Sequence, residues 1–124
     1  MSIPAKKFYM MRHGQTEANA ARVMAGHTDS PLTALGREQA VQAQKVVNAL
    51  STKPTAIYHS HLSRARDTAN IVNEFINAPT YEDPDLAEIN AGELEGAPYS
   101  KCEHFFREWP TVKHGETPDQ FFTR

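Results

Sequence analysis

The sequence predicts an α/β protein built on a mostly parallel sheet covered by helices, and three observations point there. Short apolar segments alternate with amphipathic helical stretches in the order strand-helix-strand-helix-strand over residues 7–82. The connections between strand candidates are long, as crossovers between parallel strands must be. Polar loops rich in arginine and histidine follow the first two strand candidates, the end of the sheet at which ligands sit in this architecture.

Each element has a local reason. Lys7-Phe8-Tyr9-Met10-Met11 is short and apolar and runs into Arg12-His13-Gly14, which reads as a buried first strand ending in a polar loop. Gln15-Thr16-Glu17 opens a helix whose first N–H groups add anion donors near that loop. A turn-rich stretch with Gly26, Asp29, Ser30 and Pro31 separates it from a helix over 33–50, N-capped by Thr33, with Ala40, Ala43, Val47 and Leu50 on one stripe. Pro54 precedes a second strand over 55–60, rich in β-branched and aromatic residues. A helix over 63–77 carries the stripe Ala65, Ala69, Val72 and Ile76, and Asn77-Ala78-Pro79 closes it before a short strand over 80–82.

Residues 83–98 read as a loop, with Glu88, Glu93 and Glu95 among Gly92 and Gly96, placed to overhang the strand ends. A helix over 99–109 sets Cys102, Phe105, Phe106 and Trp109 at i, i+3, i+4 and i+7 and stops before Pro110. Thr117-Pro118-Asp119-Gln120 is a helix start, with a threonine N-cap, proline at the first helical position and glutamine completing a capping box. A helix capped this well and carrying Phe121-Phe122 would ordinarily run beyond two turns. Three strands are also few for a doubly covered sheet, which usually holds about five or six. The expectation is one domain over residues 1–124, incomplete at its C-terminal end.

Composition narrows the function classes. With 40% hydrophobic and 23% charged residues, the 124-residue chain has the make-up of an ordinary globular domain. Thirteen Lys and Arg against fifteen Asp and Glu leave a net charge of -2, so no overall basic field favours nucleic acid or an anionic membrane, and any anion must be held locally. The first residues lack the apolar stretch of a signal peptide, no segment approaches the ~18 apolar residues of a spanning helix, and the single Cys102 fits a reducing compartment. A cytoplasmic location is expected. Self-association into a homodimer is left open.

Phosphoryl transfer needs fixed cations for the equatorial oxygens, an aligned nucleophile and a proton donor for the leaving oxygen. His13, with an ordinary pKa near ~6.5, is a neutral, nucleophilic imidazole for much of the time at pH 7. Arg12 and Arg64 offer planar forks that match phosphate oxygens two at a time. Glu88, once shielded by its loop, would be protonated and act as general acid. Each residue alone has a plainer structural reading. Their joint placement, two strand ends each with an arginine plus a glutamate-glycine loop, favours the site.

These residues also carry a resemblance. Arg12-His13-Gly14-Gln15-Thr16 with Asn19, Leu32-Thr33 with Gly36, Ser60-x-Leu62-x-Arg64-Ala65-x-x-Thr68-Ala69, Glu88-Ile89-x-x-Gly92-x-x-Glu95-Gly96 and Gly115-Glu116-Thr117 follow one another as in the histidine phosphatase superfamily, also called phosphoglycerate mutase-like. The ordered set spans nearly the whole chain. The resemblance implies a three-layer α/β/α sandwich, here without the C-terminal strand or strands and helix. It also implies a phosphohistidine on His13, phosphoryl binding by Arg12 and Arg64, acid catalysis by Glu88, and Asn19 and Gly26 lining the same pocket. His61 edges the phosphate pocket in this reading.

The loop from Glu88 to Gly96 is similar to the phosphatase branch rather than to the mutases, which carry a longer insertion and an Arg-His-Tyr-Gly sequence after the glutamate. The resemblance therefore implies hydrolysis of a small phosphorylated metabolite, with mutase-type phosphoryl transfer as the alternative and no metal or other cofactor. The family's second pocket histidine lies in a His-Gly at the end of a later strand. His114-Gly115 has those letters but follows no strand and is not assigned that role. A third reading is a remnant that binds phosphorylated ligands without turnover.

Other phosphatase chemistries fit less well. Cys102 precedes Arg107 by one residue too few for a cysteine phosphatase and lies on an apolar stripe, so core packing is the expectation. Asp83-Pro84-Asp85 reads as a turn, because Ala87 stands where an aspartate-nucleophile motif wants threonine or valine. No GxxxxGK[ST] loop occurs. His59 and His61 alternate on one strand face without further zinc ligands at a usual spacing.

Overall fold

The computed structural model describes residues 6–108 and 112–124. It shows the predicted α/β class with parallel strand pairing: β1 (Ile57–His59) lies parallel to β2 (Thr80–Glu82) in the register Ile57 to Thr80, Tyr58 to Tyr81 and His59 to Glu82. Tyr58 and Tyr81 stack across this pair, ring centroids 5.1 Å apart. Asp83 N–H extends the pairing by donating to the His59 carbonyl at 2.8 Å.

Helix α1 (Glu17–Ala21) starts from Thr16, whose hydroxyl accepts from Asn19 N–H at 3.1 Å while the Asn19 side chain takes the Thr16 N–H at 3.0 Å. Helix α2 (Ala34–Asn48) starts from the predicted cap Thr33, whose hydroxyl accepts from Gly36 N–H at 3.0 Å. Its buried face is Gly36, Ala40 and Gln44, with Ala43 and Val47 half-buried. The seam with α3 (Ser63–Asn73) takes Gln44 because its amide donates to the Ile71 carbonyl and the Glu74 carboxylate. Helix α3 also packs on β1 and buries Arg64, Thr68, Ala69 and Val72. It ends at Asn73 rather than Asn77, because the Asn73 side chain closes a loop on Ala78 through two hydrogen bonds of 2.8 and 2.9 Å.

Three expectations are corrected. Residues 7–11 form no strand, and Phe8 and Met10 are 75% and 84% exposed. A strand needs a neighbour to take up its backbone groups, and the sheet among the described residues is β1 and β2 alone. The helix over 99–109 is two pieces, a 3-10 turn at Tyr99–Lys101 and α4 (Glu103–Glu108), joined at Cys102. Trp109 and Pro110 lie outside the described residues, as does the side chain of Phe106. The loop over 83–98 contains 3-10 turns at Pro84–Leu86 and Gly92–Leu94.

The core forms around that loop. Met24, Ile89, Ala91, Cys102 and Phe105 make one buried cluster, with Leu94, Ala97, Val112 and Phe121 packed against it. Cys102 is fully buried, and burial pushes its thiol pKa up, so it packs and does not attack. Phe121 comes from α5 (Pro118–Thr123), which begins with the predicted Thr117–Gln120 capping box.

Candidate functional site

A cavity of about 460 Å³ opens between the start of α1, the first turn of α3, the loop at Glu88 and the segment before α4. Arg12, His13, Asn19, Arg64 and Glu88 all line it, with Thr16, Met24, Ala25, Ile89, Tyr99 and Phe105. Five of the seven residues singled out in the sequence thus share one pocket. Gly26 and His61 are not among its lining residues.

The loop bearing His13 is held by two glycines. A Cβ on Gly14 would sit 2.1 Å from the Gly36 carbonyl oxygen, and one on Gly36 would sit 2.0 Å from that of Gln15, so the loop and the first turn of α2 touch backbone to backbone. Gly14 N–H also donates to the Thr68 hydroxyl at 3.3 Å, and that hydroxyl donates to the Arg64 carbonyl at 2.7 Å, tying the loop to α3. His13 Nδ1 lies 2.7 Å from the Gly14 carbonyl oxygen. A carbonyl only accepts, so Nδ1 carries the proton and Nε2 keeps its lone pair. Burial lowers the His13 pKa most; its hydrogen bond to Gly14 opposes, and the charges of Arg64 and Arg12 lower it further. The neutral imidazole therefore dominates at pH 7.

Arg64 is only 4% exposed. Its guanidinium donates to the carbonyls of Thr28 at 2.9 Å, Ala25 at 3.2 Å and Gly26 at 2.7 Å. Those carbonyls belong to a loop folded around Glu95, whose carboxylate accepts from the N–H groups of Gly26 at 2.9 Å, His27 at 2.7 Å and Ala91 at 3.1 Å and from the Thr28 hydroxyl at 2.7 Å. Burial pushes the Glu95 carboxyl pKa up, but these donors together outweigh it and hold it below the ordinary range. Gly26 belongs to this frame: a Cβ there would meet the Ile89 carbonyl at 2.1 Å. That close approach accounts for the glycine without a part in lining the pocket.

Glu88 differs from its expectation. It is exposed at the pocket edge instead of shielded, because the loop turns its neighbours Ala87 and Ile89 inward; its carboxylate accepts from Ile89 N–H at 2.9 Å. Arg12 is likewise exposed. Asn19 reaches the Tyr99 hydroxyl with its amide at 3.3 Å while its oxygen serves the α1 cap. His61 is exposed and stands edge-on to His27, ring centroids 6.3 Å apart. His114 sits in an exposed turn with φ 59° and does not line the pocket. Among the described residues, no three His, Cys, Asp or Glu side chains gather as a metal site.

Sequence reasoning assigned no role to Glu95, Thr68, Asp29 or Tyr99. Asp29 caps α3 from a distance, because the N-cap residue Leu62 has no side-chain acceptor: its carboxylate takes the Ser63 N–H at 2.8 Å and hydroxyl at 2.6 Å, and those two bonds lower its pKa. Glu95 and Thr68 stood in the quoted motifs. Asp29, 34 positions before Ser63, had no local signal.

The chain resembles known proteins along most of its length. The family model of the histidine phosphatase superfamily (branch 1) matches residues 8–124. The "Probable phosphoglycerate mutase GpmB" of Escherichia fergusonii is 42% identical over 87 residues, which are 70% of this chain and 40% of that protein. The mycobacterial glucosyl-3-phosphoglycerate phosphatase, solved as a complex with VO3, superposes with a TM-score of 0.76 at 31% identity, covering 85% of this chain and 56% of that one. YhfR of Bacillus stearothermophilus gives a TM-score of 0.74 at 35% identity, over 85% of this chain and 56% of its own. The chain spans less than half the length of the curated relatives it matches.

Proposed function

From the premise that the chain belongs to branch 1 of the histidine phosphatase superfamily, we propose that the protein hydrolyses small phosphomonoesters through a phosphohistidine on His13. The observation that carries this reading is the His13 tautomer. With Nδ1–H bonded to the Gly14 carbonyl, Nε2 offers a lone pair in a cavity also lined by Arg12, Arg64 and Glu88.

In the first step Nε2 attacks phosphorus and the P–O bond to the leaving group breaks; Glu88 gives its proton to the departing oxygen. Arg12 and Arg64 balance the charge spread over the three equatorial oxygens. Water then attacks the phosphohistidine, returns a proton to Glu88, and releases inorganic phosphate and the free imidazole. No step requires a metal.

The resemblance to proteins named as phosphoglycerate mutases favours a second reading, transfer of the phosphoryl group to a second hydroxyl instead of to water. Hydrolysis is preferred because the segment after Glu88 is short, closed by the turn at Gly92–Leu94 and by Glu116 N–H on the Asn90 carbonyl at 2.9 Å. The test is incubation with p-nitrophenyl phosphate, followed by isolation of the protein. An acid-labile, alkali-stable phosphoprotein that is missing in His13→Ala, together with released phosphate, is expected. Labelling of wild type no greater than of His13→Ala sinks the nucleophile assignment. Phosphoryl exchange between phosphoglycerates without phosphate release selects the mutase reading, and phosphate binding without labelling selects a non-catalytic binding protein.

A further inference from the structure

The backbone on both sides of Glu88 is held by a single ion pair from the end of the chain. Arg124 Nε donates to Glu116 Oε1 at 2.6 Å and Nη2 to Glu116 Oε2 at 3.1 Å, with the two side chains only 18% and 12% exposed. The same guanidinium donates to the carbonyls of Asp85, Ala87 and Glu88, the last two at 2.8 and 3.0 Å. Glu116 completes the grip by accepting from Asn90 N–H at 3.1 Å. The Glu116 hydrogen bond to Arg124 is also the main cause lowering the Glu116 pKa and raising that of Arg124, so both stay charged.

This geometry gives the pair a task beyond stabilising α5. Glu88 is exposed, and its carboxylate has one protein hydrogen bond among those described, to the N–H of its own neighbour. Its direction toward the pocket therefore depends on the backbone, and three carbonyls and one N–H of residues 85–90 end on the Arg124–Glu116 pair. A planar guanidinium offers five donors in a fixed fork, where an ammonium group offers three on a freely rotating head.

Resting on the function proposed above, we propose that Arg124, held by Glu116, is a positioning residue that aims the Glu88 carboxyl at the leaving-group oxygen. Arg124 does not line the pocket and touches no substrate in this assignment. Its removal should slow the acid-assisted step without weakening phosphate binding, since Arg12 and Arg64 are untouched.

The experiment compares Arg124→Gln, Glu88→Gln and the double variant on two substrates. p-Nitrophenyl phosphate has a good leaving group that needs little protonation; glycerol phosphate has an alkoxide leaving group that needs an acid. Arg124→Gln is expected to lower kcat/KM on glycerol phosphate, which reports phosphoenzyme formation, by roughly 10- to 100-fold, the scale of a small misplacement of a catalytic group. Its kcat/KM on p-nitrophenyl phosphate and its affinity for inorganic phosphate should change little, and the double variant should be no slower than Glu88→Gln alone. An equal loss of kcat/KM on both substrates, or losses that multiply in the double variant, overturns the proposal in favour of a general structural role. Amide hydrogen exchange supplies a readout independent of turnover: Ile89 and Asn90 should exchange faster in Arg124→Gln while α2 does not. Unchanged exchange there overturns the positioning role even in a protein that forms no phosphohistidine, whereas absence of the phosphohistidine from wild type would defeat only the functional reading.

Discussion

The two sides of the pocket are built in opposite ways. Arg64 stands on an interlocked frame: its guanidinium is met by three carbonyls, the loop holding those carbonyls by Glu95, and the first turn of its helix by Asp29. Arg12 and His13 instead follow a segment, residues 6–11, that is exposed and outside any strand. Before Gly14 that chain has one exposed hydrogen bond to a distant residue among those described, from the Tyr9 hydroxyl to the Thr52 carbonyl at 3.2 Å; from Gly14 onward it is gripped by the backbone contact with Gly36 and by Thr68. The contrast teaches that Arg64 and His13 draw their order from different sources, a dense polar network on one side and one close backbone approach on the other.

The largest effect should come from breaking the frame. Arg64→Ala leaves three carbonyls and the Glu95 loop without their cation, and a loss of about 3 kcal/mol of stability is expected together with loss of phosphate affinity. Denaturant unfolding and phosphate titration measure the two. A destabilisation near zero would mean that the frame does not depend on this side chain.

A smaller effect concerns His13 and pH. Burial lowers its folded-state pKa below the ordinary value. The unfolded chain therefore binds more protons between those two values, and stability rises with pH across that window. The contribution of the neutral imidazole is fully present above the ordinary pKa of ~6.5 and is lost as pH falls through the lowered one. Phosphoenzyme formation should follow the same limb, with its midpoint below ~6.5. Placing that midpoint above ~6.5 in a pH-rate profile would show that burial does not govern this imidazole.

The smallest effect belongs to the segment before Arg12. Phe8→Ser and Met10→Ser remove side chains that are 75% and 84% exposed. Their stability should stay within about 0.5 kcal/mol of wild type, the usual range for surface positions. Thermal melts that fall by more would show that residues 6–11 pack on something, and the contrast between the two sides would weaken.

Legibility followed the same division. The caps at Thr16, Thr33 and Thr117, the parallel pairing of the strands near residues 57 and 80, and the burial of Cys102 were readable because each follows from local spacing or from alternation of elements. The gathering of Arg12, His13, Asn19, Arg64 and Glu88 was readable as motif order. The first strand was misread, since an apolar run states only that a segment would bury well if a neighbour were present. The exposure of Glu88 and the part of Gly26 in packing were also invisible in one dimension.

By itself, then, the sequence determined which residues cap, which turn, and which carry charge or a nucleophilic nitrogen, for these are properties of a residue and its near neighbours. Only the tertiary structure decided which proton His13 keeps, where the Arg64 fork spends its donors, and that Glu95, Asp29 and Arg124 hold the loops around the pocket. Those outcomes rest largely on hydrogen bonds between residues 34 to 69 positions apart, while the His13 bond depends on how its loop is pressed onto α2. Such pairings are set by which groups folding removes from water together, and no spacing rule in the chain records them.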